Sequence, residues 1–369
     1  MNLRFFFHIS ILLSVICSTL SSQSSSWKER VYVDVNYQYG FVMPHLDYIS
    51  FFVKEHIQGF QINMGLFTNG AKSWHKSYNY PQLGIGYHYS GLSNYDVYGS
   101  MNAIYGYVDR YYLNRKNRFN FGNKLSLGGA YINKKFDLEN NGTNLAIGSK
   151  LNAYVNYSFE GKFRITPEID MKLGTGITHV SNGSFKQPNK GLNFFTVFSG
   201  FSYSFSPNMA YEPLIPEADS SKHQFLLVTC MGYKQISRKY DYSYMVNGIS
   251  GEYAHLITGN SWGGAALTFY YDPSLKKEIW MDDTIQAKFI DNVRVALNLS
   301  YELKMGRISY VFQPGFYLKN LYKKSGVISN RLSVRYQLTH RFYASFTIKA
   351  HWFAIADFFE WGIGYRWKK

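Results

Sequence analysis

Hydrophobic and polar residues alternate along most of the chain. Val293, Val295, Leu297, Leu299, Tyr301 and Leu303 stand opposite Arg294, Asn298, Ser300 and Glu302. Phe342, Ala344, Phe346, Ile348, Ala350 and Trp352 oppose Ser345, Thr347, Lys349 and His351. Phe359, Trp361, Ile363, Tyr365 and Trp367 oppose Glu360, Gly362, Gly364 and Arg366, and Met171, Leu173, Thr175 and Ile177 oppose Asp170, Lys172, Gly174 and Gly176. A period of two is the side-chain period of a β-strand. One face is apolar and aromatic and the other carries charge, which is the pattern of a wall between lipid and a polar lumen. A soluble sandwich would turn its large apolar face toward a protein core. A further alternating segment holds Leu145, Ile147, Leu151, Val155 and Tyr157 on one face. Other strands are predicted near 30–42, 56–66, 82–90, 96–108, 118–131, 192–205, 222–236, 262–272, 307–319 and 328–338. The total is about 14 strands, within 12–16, as in bacterial barrels. The predicted fold is all-β, an antiparallel transmembrane β-barrel.

Turn-rich breaks fall at 114–117, 137–144, 183–191 and 272–283, where Asn, Asp, Gly, Lys and Pro concentrate. The largest break is 206–222, with Pro207, Pro213 and Pro216 among several acids. It divides the chain into parts of similar size. Each part could supply about eight strands, so one larger barrel, two small barrels, or an eight-stranded unit followed by further strands all satisfy this layout. The predicted organisation is a leader over 1–22, a first barrel portion over 23–205, a linker or loop over 206–221 and a β-strand region over 222–369.

The leader follows from Arg4, the apolar stretch 5–20 and the Ser-rich stretch 21–26. Ile16 precedes Cys17 where a lipid-attachment signal needs a small residue. With Cys17 removed, Cys230 stands alone and no intrachain disulfide forms. No later run reaches the ~18–20 apolar residues of a spanning helix. The chain instead holds 33 Tyr, 29 Phe and 7 Trp, residues that favour strands and the interfacial girdles of membrane barrels. The formal charge is +15, or +14 without Arg4. In an exported barrel such basicity suits anionic lipid headgroups rather than nucleic acid, and solvated loops would also account for it.

Candidate chemistry lies where one strand runs out. His179 and Ser181 continue the apolar face of Met171–Ile177, so they lie side by side on the wall that meets lipid. A hydroxyl needs an adjacent base to become a nucleophile. The plainer alternative is an interfacial histidine followed by ordinary Ser-Asn-Gly-Ser turn chemistry. His351, Lys349, Glu360 and Arg366 fall on the lumen face of the last two strands, where a structural network is expected. His45, His56, His75 and His88 lack zinc-type spacing. There is no phosphate-binding Gly-rich loop and no Cys cluster, so no metal or cofactor is expected.

The run His179-Val-Ser181-Asn182, then Pro188-Asn189-Lys-Gly191, resembles the active-site motif of the lipid A 3-O-deacylase (PagL-type), or acyloxyacyl hydrolase, family. The resemblance is carried over about 165–205, with a looser likeness in strand pattern back to about residue 30. It implies a membrane-embedded esterase. Ser181 would be the nucleophile and His179 its base. Asn182 and Asn189 would be oxyanion donors, and Pro188 and Gly191 would shape the loop. The family's acid is replaced by Asn193, whose carbonyl oxygen would have to orient His179; an acid from elsewhere, or a decayed site, are the alternatives.

The expected protein is therefore an outer-membrane serine esterase of a Gram-negative bacterium. Its substrate would be an ester-linked (3-hydroxy)acyl chain of lipid A in lipopolysaccharide. Lipopolysaccharide and outer-membrane lipid are the expected partners, and a homodimer is a candidate assembly. The rival is a non-catalytic barrel, structural or a narrow channel, with a decayed site. A soluble periplasmic β-protein is the third reading.

Overall fold

The computed structural model describes residues 30–206, 221–239, 242–283, 288–322, 326–351 and 355–369. The expected leader, Cys17, most of the linker at 206–221 and Trp352 lie outside the described residues. Sixteen antiparallel strands are described, and they close into two barrels rather than one.

The first barrel consists of β1 (Val31–Val42), β2 (Ile57–Phe67), β3 (Gln82–Gly91), β4 (Ser100–Tyr111), β5 (Phe119–Ile132), β6 (Leu151–Arg164), β7 (Ile169–Ser181) and β8 (Leu192–Ser204). β1 pairs with β8 from Tyr32↔Ser204 to Val42↔Phe194, which closes the sheet. The second consists of β9 (His223–Lys234), β10 (Tyr244–Thr258), β11 (Ser261–Tyr271), β12 (Val293–Met305), β13 (Ile308–Lys319), β14 (Ile328–Gln337), β15 (Phe342–His351) and β16 (Ile355–Lys368). β16 returns to β9 through the register Lys368↔Gln224. Closure leaves neither sheet with an edge, so every strand's backbone groups have partners across a wall.

The alternation works as the sequence implies. In β7, Leu173 is 61% and Ile177 50% exposed, whereas Lys172 and Thr178 are buried. Outward aromatic residues cluster in pairs near the strand ends, for example Tyr203–Phe205, Tyr365–Trp367 and Phe119–Phe121 at one rim and Phe41–Phe195 at the other. These are the girdles expected where a barrel crosses two interfaces. No described helix is long and apolar enough to cross a membrane.

Two predicted details change. The segment assigned to a strand from Leu145 is a strand only from Leu151. Ala146 and Ile147 instead fold over the barrel end as part of an apolar plug with Val180, Leu192 and Phe194. β10 goes unpredicted because Gly248, Gly251 and small or polar residues interrupt its alternation. Short helices α1 (Asp47–Phe52), α2 (Ser73–Ser77) and α3 (Ser274–Asp283) sit in loops.

Both lumens are filled by buried polar side chains. In the first, Lys172 lies 3.2 Å from Asp34 and 2.8 Å from Glu160, and Tyr111 donates to Glu160. In the second, Glu302 accepts from Arg366 at 2.7 Å and Arg335 at 3.2 Å, and Arg331 pairs with Glu360 at 2.7 Å. His351, Lys349, Glu360 and Arg366 are all buried there, as the alternation predicts. A buried charge is tolerated only when paired and hydrogen-bonded, so each network is part of its barrel's core.

Eight strands return the chain to the end where it entered, so the second barrel starts at the same end as the first. The barrels touch at both ends. At one, Tyr78 Oη donates to Asn260 O at 2.8 Å. At the other, the loop between β7 and β8 meets Gln235, Ala356 and Phe359.

Candidate active site

β7 ends at Ser181 and β8 begins at Leu192, so the loop 182–191 caps the hairpin that carries the candidate residues. The register places His179 directly across from Asn193. His179 Nδ1 and Asn193 Oδ1 are 2.6 Å apart, and His179 Nε2 and Ser181 Oγ are 2.9 Å apart. Since Asn193 presents its oxygen, Nδ1 carries the proton and Nε2 is left to accept from the serine hydroxyl. All three side chains project to the outer wall, by the same parity as Ile177. Ser181 is only 3% exposed, beneath the loop.

An unpredicted residue controls the amide. Asn193 Nδ2 donates to His45 Nδ1 at 3.3 Å, and His45 Nε2 lies 3.0 Å from Lys190 O. This contact turns the Asn193 nitrogen toward His45 and hence its oxygen toward His179. His45 lies in the loop after β1, 148 positions from Asn193, and a sequence pattern holds no signal for it. The backbone carries the same seam, because Met43 N donates to Asn193 O at 2.8 Å.

The two asparagines differ. Asn182 Nδ2 donates to Ser149 Oγ at 3.0 Å and Lys186 O at 2.9 Å, and its backbone N–H donates to Asn189 Oδ1 at 2.9 Å. Its donors are thus spent on holding the loop. Asn189 Nδ2 is buried and has no hydrogen-bond partner. A buried amide donor without a partner is costly unless something else uses it. Gly191 adopts φ +73°, and a Cβ there would lie 2.9 Å from His179 Cε1 and 3.2 Å from Ser181 Cβ. Only glycine lets the loop return so close to the pair. Pro188 follows a cis peptide bond and is buried in the same loop.

A cavity at the opposite mouth of the first barrel, lined by Asn79, Arg115, Arg164 and Asp170 among others, is at the far end of this hairpin from His179 and Ser181. No group of three or more metal-ligating side chains occurs among the described residues.

Residues 59–202 match the family described as lipid A 3-O-deacylase (PagL). Residues 223–369 match the acyloxyacyl hydrolase C-terminal domain. No curated protein matches the chain. Among solved structures, the chain is similar to Neisserial surface protein A (NspA), at 12% identity over 47% of this chain and 96% of that one, with a TM-score of 0.31. It is likewise similar to the outer membrane enzyme PagL, at 16% identity over 45% and 97%, with a TM-score of 0.31. CdiB from Escherichia coli matches at 7% identity over 94% of this chain and 64% of that one, with a TM-score of 0.23. The first family match falls within β2–β8 and the second takes in the whole of β9–β16, so the two together cover most of the chain. The chain is an outer-membrane β-barrel protein that belongs to the lipid A 3-O-deacylase (PagL) family and carries the acyloxyacyl hydrolase C-terminal domain as its second barrel.

Proposed function

We propose that this protein is a serine esterase that removes an ester-linked 3-hydroxyacyl chain from lipid A, with Ser181 as nucleophile and His179 as base. The observation that carries the reading is the hydrogen-bonded run Ser181–His179–Asn193 on the outer wall of the first barrel. Ser181 Oγ attacks the ester carbonyl carbon while His179 Nε2 takes its proton. The carbonyl oxygen becomes an oxyanion, for which the unpartnered Asn189 Nδ2 is the donor. The bond from the carbonyl carbon to the sugar oxygen then breaks, and His179 returns the proton to that oxygen. Water attacks the acyl-serine, again with His179 as base, and releases the fatty acid and Ser181. Asn182 shapes the loop instead of contacting the oxyanion.

An amide in place of the family's acid is compatible with turnover here. In serine proteases the loss of about 10⁴ on exchanging aspartate for asparagine comes from the wrong histidine tautomer. His45 holds Asn193 with its oxygen toward His179, which selects the working tautomer. What the amide lacks is only the charge that stabilises imidazolium. A site on the outer wall lets the acyl chain stay in the bilayer while its ester reaches Ser181. Residues 1–22 are removed on export in this reading.

Mass spectrometry of lipid A from Gram-negative cells expressing the wild type or Ser181→Ala tests the proposal. Loss of one hydroxyacyl mass with the wild type alone is expected. Unchanged lipid A with both, while both proteins sit folded in the outer membrane, would leave a non-catalytic barrel.

A further inference from the structure

Neither family match says what the second barrel does for the first. The two meet at the loop that carries the proposed oxyanion donor. Gln235 follows directly after β9, in the second barrel, and its side chain is buried. Its Oε1 accepts the backbone N–H of Gln187 at 2.7 Å, and its backbone O accepts Gln187 Nε2 at 3.0 Å. Its own N–H donates to Ser184 O at 2.7 Å. Ser184 Oγ donates to Ala356 O at 3.0 Å, at the start of β16. Gly183, at φ +60°, sits against the Phe359 ring, 2.7 Å from where a Cβ would stand. Three residues of the 183–187 segment, Gly183, Ser184 and Gln187, therefore make five contacts that end on the second barrel.

The chain of bonds continues inward. Gln187 Oε1 accepts the backbone N–H of Asn189 at 3.0 Å, and Asn189 Oδ1 accepts the N–H of Asn182, the residue after the nucleophile. An isolated eight-stranded barrel would have to hold a ten-residue loop by its own contacts. Here the loop is braced from outside. We infer that the second barrel is a built-in brace for the active-site loop, and that Gln235 is a positioning residue that sets Asn189 through Gln187. The inference rests on the esterase reading of Ser181 and gives the C-terminal domain a role in the same reaction.

The mechanism makes a specific demand. Oxyanion donors act only when fixed where the charge develops, so loosening one lowers the rate of the chemical step more than substrate binding. Gln235→Leu keeps a side chain of similar size and the backbone contacts but removes the acceptor for the Gln187 backbone N–H. Gln235→Glu keeps an acceptor at the same place. Gln187→Met cuts the link from the first barrel's side.

Full-length wild type and these variants, folded in detergent micelles with lipid A as substrate, give kcat, KM and amide hydrogen exchange across 182–191. Gln235→Leu and Gln187→Met are expected to lower kcat about 10–100-fold with KM nearly unchanged. Gln235→Leu should also speed exchange at Asn182 and Gln187, and Gln187→Met at Asn182 and Asn189, while β7 and β8 stay protected. Gln235→Glu is expected to restore both readouts toward wild type. Wild-type kcat in Gln235→Leu, or unchanged exchange at Asn182 and Gln187, would overturn the brace. So would a Gln235→Glu variant as impaired as Gln235→Leu. Ser181→Ala run in parallel tests the esterase reading on its own, and the exchange measurement decides the brace even if that reading fails.

Discussion

The last hairpin of each barrel makes an instructive pair. In the first barrel, β7 ends in His179-Val-Ser181, and the odd-numbered residues face outward. In the second, β15 ends in Lys349-Ala-His351, and those odd-numbered residues face inward. His351 lies 3.1 Å from Asp357 and 3.4 Å from Tyr317 inside the lumen, next to Lys349. Two histidines at equivalent strand ends thus have opposite fates, because a one-residue change of parity moves a strand's whole side-chain set to the other face. Loop length separates them further. Ten residues link β7 to β8, and three link β15 to β16. The ten-residue loop folds back over the wall, brings Asn189 beside Asn182 and returns through Gly191. The lumens differ as well. The first relies on Lys172 and Lys124 among tyrosines under an apolar plug, whereas the second is tied by Arg294, Arg331, Arg335 and Arg366. Arginine's planar fork can bridge two carboxylates, as Arg335 does with Glu252 and Glu302. The second barrel fits the proposed role of a support, and the first carries the proposed site.

This contrast breaks most severely at Ser181. Ser181→Ala should cost at least about 10⁴ in hydrolysis while leaving heat-modifiable gel mobility intact, because a nucleophile's loss removes the covalent route. His351→Ala, its counterpart in the second barrel, should leave the chemical step at wild-type rate; a loss as large as that of Ser181→Ala would place chemistry in the wrong barrel. Next comes the support. Glu302→Ala takes the carboxylate from buried Arg366 and one of two carboxylates from buried Arg335, and should destabilise the second barrel by about 3–5 kcal/mol, read as a lower urea midpoint for the unfolding of a detergent- or lipid-refolded chain. A midpoint unchanged from wild type would show that the arginine network is not what holds that barrel.

Smaller effects sharpen the geometry of the site. Asn193→Ala frees His179 to rotate and should lower kcat about 10²-fold, a milder loss than that of a missing nucleophile. His45→Ala leaves Asn193 free to turn its nitrogen toward His179, and should cost about tenfold. Asn193→Asp should raise kcat by tenfold at most in the wild-type background, since His45 already orients the amide, and by more when His45 is alanine. Equal gains in both backgrounds would mean that His45 does not orient residue 193. These rates come from the same micellar lipid A assay.

Much of this architecture was legible because it depends on a local rule. A strand between lipid and a polar lumen must alternate, and β12, β15 and β16 do so, β16 losing step only where Asp357 and Phe358 are both buried at a register shift. β10 was not legible, since Asn247, Gly251 and His255 interrupt its outward apolar face and Gly248 its inward one. The loop over 145–150 misled for the opposite reason: Leu145 and Ile147 happen to continue the alternation of β6, yet Ile147 plugs the barrel end. At the site, His179, Ser181, Asn189 and Gly191 stand in one short stretch, so their spacing can be read directly. His45 and Gln235 cannot be found that way, because each reaches the hairpin across sheet closure or across two barrels.

The sequence by itself determined that strands form, which face of each meets lipid, and where a serine and a histidine stand together on that face. These follow from side-chain period and residue chemistry within a dozen positions. Only the tertiary structure decided that sixteen strands close twice rather than once, since closure is a property of pairing between β1 and β8 and between β9 and β16. Tertiary structure also decided that the oxygen of Asn193 faces His179 and that the side-chain donors of Asn182 are spent while Asn189 Nδ2 is left without a partner. Each of those outcomes depends on which distant groups arrive within hydrogen-bonding distance, and no local pattern encodes that.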